Sequence, residues 1–177
     1  KKDILKSKKI FKENIGYNSK FFSYPFGEYN LEQKKYITDN FDFAFGQHSG
    51  VIDLNKDKYE LPRFPINEKY GDLERFKFLI NLLPIQYKKI FPEEKFLLEN
   101  NNPPELIIEF FTNQPNISKI NCFSNEGGEW KNSKLNYKKD KIVVTFDEKF
   151  LPRRGRINCS MQDKGNWRWF GTQFTLN

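Results

Sequence analysis

Few residue types in this chain can carry out chemistry on their own. Its 177 residues include one histidine, His48, and two cysteines, Cys122 and Cys159. A zinc site with two histidine ligands therefore cannot be assembled from this chain alone. A nucleophilic Cys/His pair would need His48 beside a cysteine, but the sequence pattern assigns the histidine and the cysteines to separate domains. The composition thus argues against two common kinds of catalytic centre.

The single histidine lies in the segment GQHSG and follows the end of a predicted strand. The carboxyl ends of strands are where α/β sheets keep their active sites. The alternative is that His48 is a polar loop residue with no catalytic role, and this is the interpretation that we favour.

The stretch FFSYPFGEYN, residues 21–30, combines aromatic residues with a turn signal. Its aromatic side chains are typical of a buried strand, whereas Pro25 and Gly27 indicate a break in the chain direction. We therefore expect a short strand, a turn at PFG and the approach to a helix at Asn30.

The two cysteines both lie in segments that alternate apolar and polar residues like strands. A disulfide between Cys122 and Cys159 would close a loop of about 38 residues and add roughly 4 kcal/mol on the chain-entropy model. The alternative is two buried reduced thiols that pack as small apolar groups. We favour the disulfide, which implies an oxidising compartment.

Three tryptophans are candidates for stacking on sugar rings. Trp167 and Trp169 share one face of the last predicted strand, with Arg168 and Phe170 on the other. One of these two faces is expected to fill the core of a small domain, so the tryptophan pair has a structural alternative. Trp130 follows a glycine turn in NEGGEWKN and is the better candidate for an exposed, substrate-binding platform.

The first half of the chain alternates helices and short apolar strands, which predicts parallel strands with helical crossovers. Asn30 and Gln33 form a capping-box pattern that opens a helix to about residue 40. The other predicted elements are a helix over residues 2–15 that ends at Gly16, strands at KFFSY, FDFAFG and YELPRFPI, and a helix capped by Asp72 with Phe76, Leu79, Ile80 and Leu83 on one face. These elements are too few to close a barrel, because an α/β barrel takes about 250 residues.

The second half is predicted to be all-β. Residues 99–105, ENNNPPE, are polar and then rigid and indicate a linker. After them come five β-type runs separated by turn residues: LIIEFF, KINCFS, KIVVTF, GRINCSMQ and WRWFGTQFTL. The sequence thus predicts an α/β domain over residues 1–98 and a small antiparallel β-sandwich over residues 106–177.

The net charge of +7 does not predict nucleic-acid binding, since the lysines are spread along the whole chain without a recognised motif. No run approaches the roughly 18 consecutive apolar residues of a membrane span. The basic start, KKDILKSKKIFKEN, lacks the apolar run and cleavage site of a signal peptide, so any export signal would have to lie upstream of Lys1.

Three segments in this order, FSYPFGEYN, FDFAFGQHSG and LPRFPINEKYG, resemble the C-terminal half of polysaccharide deacetylases, the NodB-homology family or carbohydrate esterase family 4. The resemblance covers residues 1 to about 98. The ending RINCS to WRWFGTQF is similar to an accessory β domain of some members. The resemblance implies the C-terminal part of a deformed (β/α) barrel followed by the β-sandwich.

The family resemblance implies hydrolysis of N-acetyl or O-acetyl groups of an amino-sugar polymer. In the family a divalent metal, which we expect to be zinc, is held by an Asp-His-His set beside an aspartate that acts as the base. The T-F-D-D-G and H-S-x-x-H segments that supply these groups have no counterpart here. We therefore expect a C-terminal portion that lacks the N-terminal half of the barrel and is inactive by itself.

The resemblance also assigns roles to residues of this chain. Phe26 corresponds to the aromatic residue whose backbone N–H stabilises the oxyanion, and Tyr24, Pro25 and Gly27 form the surrounding substrate-binding turn. Ser23 stands where many members have an arginine that tunes the catalytic aspartate. Arg63 in LPRF is our candidate for supplying that charge, with a surface ion pair as the equal alternative.

We expect the full-length protein to be a periplasmic or secreted enzyme that acts on a polysaccharide. We expect no nucleic-acid partner and no membrane span. Two other classes stay open. The chain would be a non-catalytic carbohydrate-binding protein if its tryptophans bind sugar, or an assembly module if its half-barrel docks onto another chain.

Overall fold

A computed structural model describes residues 1–112 and 116–176. Within them the chain forms three α-helices and twelve β-strands in three sheets, of two, four and six strands, and none of these closes into a barrel. The mixed α/β character with antiparallel sheets toward the C-terminus agrees with the sequence. None of the described helices combines the length and the apolar character needed to cross a membrane.

Helix α1 spans Lys2–Ile15 and ends at Gly16, as the sequence predicts. Gly16 has a φ of 87°, a left-handed conformation that glycine adopts readily, and its N–H donates to the carbonyl of Lys12. None of the side chains of α1 is fully buried, although Ile4 packs against the aromatic cluster of the first half.

Strands β1 (Phe21–Ser23) and β2 (Phe43–Phe45) are parallel and are joined by helix α2 (Leu31–Thr38). Both halves of the predicted capping box are present, since Asn30 accepts from the Gln33 N–H and the Gln33 side chain accepts from the Asn30 N–H. The residues of this small core are Tyr24, Tyr29, Ile37, Phe41 and Ala44.

The third predicted strand, YELPRFPI, is not formed. Only Leu61 makes a β-bridge, parallel and to Phe45. Pro62 and Pro65 have no N–H to donate to a strand ladder, which limits the pairing to this single position.

Helix α3 spans Leu73–Ile80 and begins at Asp72, whose side chain accepts from the Arg75 N–H as expected of an N-cap. The prediction that Leu83 continues its apolar face is wrong, because Leu83 lies in strand β3 (Leu83–Pro84). The residue before a proline disfavours the helical conformation, which is consistent with a helix that ends earlier.

The five β-type runs of the second half all form strands. The remaining strands are β4 (Lys89–Phe91), β5 (Phe96–Leu97), β6 (Leu106–Glu109), β7 (Asn121–Ser124), β8 (Lys131–Asn132), β9 (Lys134–Lys138), β10 (Lys141–Thr145), β11 (Arg153–Asp163) and β12 (Asn166–Leu176). One sheet has the order β4-β6-β10-β9 and is antiparallel. The other has the order β3-β12-β11-β7-β8, with β5 also paired to β12.

Residues 83–97 belong to these two sheets by pairing, although the sequence pattern groups them with the first half. Strand β4 pairs antiparallel with β6, and strands β3 and β5 pair parallel with β12. The chain therefore enters the β-rich half before the polar segment at residues 99–105.

The two larger sheets share one hydrophobic cluster. Leu106, Ile108 and Ile142 come from the four-stranded sheet, and Ile157 and Phe174 from the six-stranded one. Residues along β11 alternate between buried and partly exposed over most of its length, so one face contacts this core and the other is free to pack elsewhere.

The predicted disulfide between Cys122 and Cys159 is confirmed. The two cysteines are directly opposed on the antiparallel strands β7 and β11, and both are buried in the shared core.

Candidate functional site

The face of β11 and β12 that points away from the shared core receives the loops that follow the two parallel strands of the first half. Strand register places Arg156 opposite Gln173 on this face, and Asn158 opposite Gly171. Gln173 donates from Nε2 to the carbonyl of Gly27 at 3.3 Å, and Arg154 donates to Oε1 of Gln47 at 3.3 Å. The loops after β1 and β2 are therefore held against a polar sheet surface. We call this contact region the junction.

Glycines allow the close approach of backbones at the junction. A Cβ on Gly171 would overlap the Ser49 carbonyl oxygen, far inside the van der Waals contact distance of the two atoms. A Cβ on Gly27 would lie 2.5 Å from the backbone nitrogen of Gln47, and Gly27 also has a φ of 73°. Larger residues at either position would separate the elements that meet here.

The turn after β1, residues 24–27, is tightly fixed. The Tyr24 N–H donates to the Phe45 carbonyl, the Gly27 N–H donates to the Tyr24 carbonyl at 2.8 Å, and the Glu28 N–H donates to the Pro25 carbonyl at 3.1 Å. The N–H of Phe26 is not a donor in these bonds. The Phe26 N–H, to which the resemblance assigns the oxyanion, therefore takes no part in the hydrogen bonds that fix the turn.

Phe26 has a φ of 58°, in the left-handed region that a residue with a Cβ seldom adopts. Its ring is 53% exposed, and the Arg153 guanidinium lies over it at 4.6 Å from the ring centroid. Backbone strain of this kind concentrates at functional sites, where the surrounding structure enforces it.

Tyr24, Pro25 and Phe26 border an open groove of about 640 Å³ that also reaches α1 and α2. Tyr24 is 4% exposed and stacks on Tyr29 with 4.6 Å between ring centroids. Burial, with smaller contributions from Asp57 and Glu60, raises the pKa of the Tyr24 hydroxyl. Three of the predicted substrate-turn residues thus share one groove, while Gly27 packs into the junction.

A second cavity, of about 340 Å³, lies at the carboxyl end of β2 and contains two other predicted residues, Arg63 and Trp130. We call it the arginine cleft, because Arg63, Arg75 and Arg156 line it together with the rings of Tyr70 and Trp130. The structure thus brings Arg63 and Trp130 together but places them in a different cavity from Phe26. Gln47 connects the two regions, since it lines the cleft and packs on Gly27.

Arg63 is anchored by the backbone at the end of β2. Its N–H donates to the His48 carbonyl at 3.0 Å, and its Nε donates to the Gly46 carbonyl at 3.1 Å. Among residues 1–112 and 116–176 it forms no ion pair within 4 Å, so the surface ion pair offered as an alternative is not seen there.

No sequence pattern singles out the other two arginines of the cleft. Arg75 donates from Nη1 to the carbonyls of Pro65 and Tyr70, at 3.1 and 2.6 Å. Arg156 is partly buried, and its Nε has no hydrogen-bond partner in the described part of the chain. Burial lowers the pKa of Arg156, and the neighbouring Arg154 lowers it further. Only tertiary packing makes these two side chains neighbours.

His48 lies in a loop, as the favoured interpretation has it, but it is only 8% exposed. Burial lowers the pKa of its imidazole to about 4, and Lys95 adds to the effect. The side chain is therefore neutral at pH 7. It lies between the arginine cleft and a small cavity of about 50 Å³ that Glu60 and Lys95 also line.

Glu60 is the centre of a polar network beneath the junction. It accepts from the Tyr29 hydroxyl at 2.7 Å and from the Lys34 ammonium at 3.1 Å. Burial by itself would raise the pKa of this carboxyl, but Lys95 and Lys34 outweigh burial and lower it. Glu60 is thus an ionised structural anchor between α2 and the junction.

The residues that the structure describes do not fit the metal centre that the resemblance implies. Over residues 1–112 and 116–176 no three His, Cys, Asp or Glu side chains are grouped so that they could hold a metal ion. His48, the single histidine of the chain, is buried at the junction and belongs to no such group among these residues.

The tryptophan pair of β12 faces away from the shared core, and Phe170 and Phe174 supply the core side. Trp169 packs edge-on against Phe64 at 5.9 Å between ring centroids. Trp167 is 44% exposed and, with Phe123, borders a separate groove of about 550 Å³ on the six-stranded sheet. The two tryptophans therefore have different environments despite their common face.

Comparisons of the chain with protein-family models, with curated proteins and with solved structures find no match.

Proposed function

We propose that this chain is the C-terminal portion of a polysaccharide deacetylase that hydrolyses N-acetyl or O-acetyl groups of an amino-sugar polymer. In this proposal the helices and parallel strands before residue 83 are part of a deformed (β/α) barrel, and the two larger sheets, which residues 83–97 join, form an accessory β-sandwich. The observation that carries the proposal is the turn at Tyr24–Gly27, which follows a parallel strand and holds Phe26 at a φ of 58°.

The spatial arrangement of the three resembling segments supports the proposal. They contain the end of β1, the whole of β2 and Leu61, and β2 joins them because it pairs parallel with β1 and its Phe45 forms a parallel bridge with Leu61. Ligands of open α/β sheets bind outside the carboxyl ends of such strands. The segments therefore meet at the edge where a substrate would be expected, although they are distant in sequence.

The chemical contribution of this chain is to bind the sugar and to stabilise charge. In the proposal the Phe26 N–H donates to the oxygen of the acetyl group as that oxygen becomes negative, a role worth about 3 kcal/mol in other hydrolases. Tyr24 and Pro25 form the wall beside it. The divalent metal, zinc by expectation, and the aspartate base are contributed by residues outside this chain.

Arg63 has a positioning role in this proposal. Its guanidinium lies at the carboxyl end of the sheet and supplies the positive charge that Ser23 cannot. A positive charge near an aspartate lowers the pKa of that aspartate and keeps it available as a base.

Measurement of acetate release from N-acetylglucosamine oligomers, together with zinc affinity, tests the proposal. We expect neither activity nor tight zinc binding for this chain by itself, and both for the chain extended by the sequence encoded upstream of Lys1. Turnover by the chain alone, or an extended protein without turnover, would contradict the proposal.

The pH profile of the extended protein separates the role of Arg63 from a purely structural one. Replacing Arg63 by Gln should move the acid limb of the profile to higher pH, and Arg63→Lys should restore most of the shift. A variant that loses activity equally at all pH values would argue that Arg63 only maintains the fold.

A second candidate function is non-catalytic carbohydrate binding by the β-rich half. Trp167 and Phe123 expose apolar ring surface in one groove, and the amides of Asn121, Asn132 and Gln162 lie beside them. Rings beside amides suit the apolar faces and hydroxyl groups of a sugar. In either function the disulfide agrees with the periplasmic or secreted location that we propose.

Titration of tryptophan fluorescence with N-acetylglucosamine oligomers tests this candidate. A saturable change that disappears in Trp167→Ala but persists in Trp130→Ala would support it. The absence of any change in the wild-type protein would exclude it.

A further inference from the structure

The arginine cleft gathers three positive charges, and its described lining contains no carboxylate. Arg63, Arg75 and Arg156 all line a cavity of about 340 Å³, and its other polar groups are neutral amides and hydroxyls together with the neutral imidazole of His48. None of the described lining residues is acidic. Like charges gathered in this way repel one another, so the cleft favours an anionic occupant.

Arg63 and Arg156 keep hydrogen-bond donors for which the described part of the chain offers no acceptor. Arg63 donates through Nε to one backbone carbonyl, which fixes the side chain and leaves its terminal nitrogens without an ion-pair partner in the described chain. The Nε of Arg156 is buried and has no acceptor within residues 1–112 and 116–176. A buried donor without an acceptor is unfavourable, and an oxygen-bearing ligand would satisfy it.

The aromatic side of the cleft is suited to a sugar ring. Trp130 is 51% exposed, and Tyr70 is held by the guanidinium of Arg75 at 5.4 Å from its ring centroid. Exposed rings offer an apolar face to a pyranose, while the amides of the cleft can bond to hydroxyl groups. The cavity volume is at the small end of the range of ligand pockets, which corresponds to one or two sugar units.

We infer that the arginine cleft binds an acidic sugar unit of the polysaccharide, with its carboxylate on Arg156 and Arg63 and its ring on Trp130. The planar guanidinium group pairs with a carboxylate through two parallel hydrogen bonds, which specifies a uronate more closely than a point charge would. This inference deepens the proposed function, on which it rests for the polysaccharide class of ligand. It adds acidic sugar units to the amino-sugar polymer that the proposed function names.

Binding of a galacturonate tetramer, measured by calorimetry at low salt, tests the inference on this chain alone. We expect saturable binding at least tenfold tighter than that of an N-acetylglucosamine tetramer, and a marked loss of affinity at 0.5 M salt. Arg156→Gln should weaken galacturonate binding tenfold or more, and Arg156→Lys should weaken it less. Lys138→Gln, which removes a positive charge from an exposed position of β9, should leave the affinity within twofold of the wild type.

Trp130→Ala is a second variant that does not depend on the buried arginine, because its side chain is largely exposed. It should also weaken binding tenfold while the melting temperature stays unchanged. Equal affinity for the acidic and the neutral tetramer, or an unchanged affinity in Arg156→Gln, would overturn the inference. This binding assay needs no catalysis, so its failure is distinguishable from a failure of the extended protein to release acetate.

Discussion

Reduction of the disulfide should lower the stability of the β-rich half substantially. Cys122 and Cys159 are 37 positions apart, and both lie in the core that the two larger sheets share. On the chain-entropy model a closed loop of this length contributes roughly 4 kcal/mol. For a chain of this size each kcal/mol corresponds to about 2–4 °C in melting temperature, so reduction should lower it by roughly 8–16 °C.

Thermal unfolding followed by circular dichroism, with and without a thiol reductant, measures this difference. Mass spectrometry after alkylation should confirm that both thiols are free in the reduced sample. The double variant Cys122→Ala/Cys159→Ala is the control, since it should resemble the reduced protein and should not respond to reductant. A melting temperature within about 2 °C of the oxidised value, with both thiols alkylated, would refute the reasoning.

Three other perturbations test the junction and its supports. Burial lowers the pKa of His48 to about 4, so the stability that neutral His48 contributes is present above about pH 6.5 and is lost as the pH falls toward 4. Urea unfolding between pH 4 and 7 should show a loss of about 3 kcal/mol that His48→Gln lacks, and parallel profiles would contradict this. Gly171→Ala should lower the free energy of unfolding by about 2 kcal/mol, because the added methyl group clashes with Ser49. Ser160→Ala on the same sheet face should leave the free energy of unfolding nearly unchanged in the same assay. Asn30→Ala removes the cap of α2 and should lower the free energy of unfolding by about 1 kcal/mol in urea. Asn30→Ser should recover most of that loss, and equal losses in the two variants would count against the cap.

Elements with local signals were predictable from the sequence. The capping pair Asn30 and Gln33, the glycine that ends α1 and the Asp72 cap all act within a few residues along the chain, and all three are present. The disulfide was predictable for a related reason, because both cysteines lie in strongly alternating strands.

Pairing between distant segments was not predictable from these patterns. Strands β3 and β5 have two residues each, and both pair with β12, more than 70 residues further along the chain. The segment LPRFPI has the apolar composition of a strand, but its prolines limit it to one bridge. Short runs such as these become strands or loops according to what the rest of the chain offers them.

The candidate site was predictable only in part. Arg63 was identified through the resemblance and Trp130 by its position beside a glycine turn, and both line the arginine cleft. Arg156 lies at an outward-facing position in the alternating pattern of β11, and that pattern by itself predicts a solvent-exposed side chain. The first half of the chain packs over that face and converts a surface arginine into part of a cavity, and no local pattern encodes that packing.

Zinc-dependent acetate release by the chain extended with the sequence encoded upstream of Lys1 is the most direct test of a deacetylase. We predict release of acetate from an N-acetylated oligosaccharide by the extended protein, and none by residues 1–177 alone. Release by residues 1–177 alone, or an extended protein that binds the oligosaccharide but releases no acetate, would contradict the proposed function.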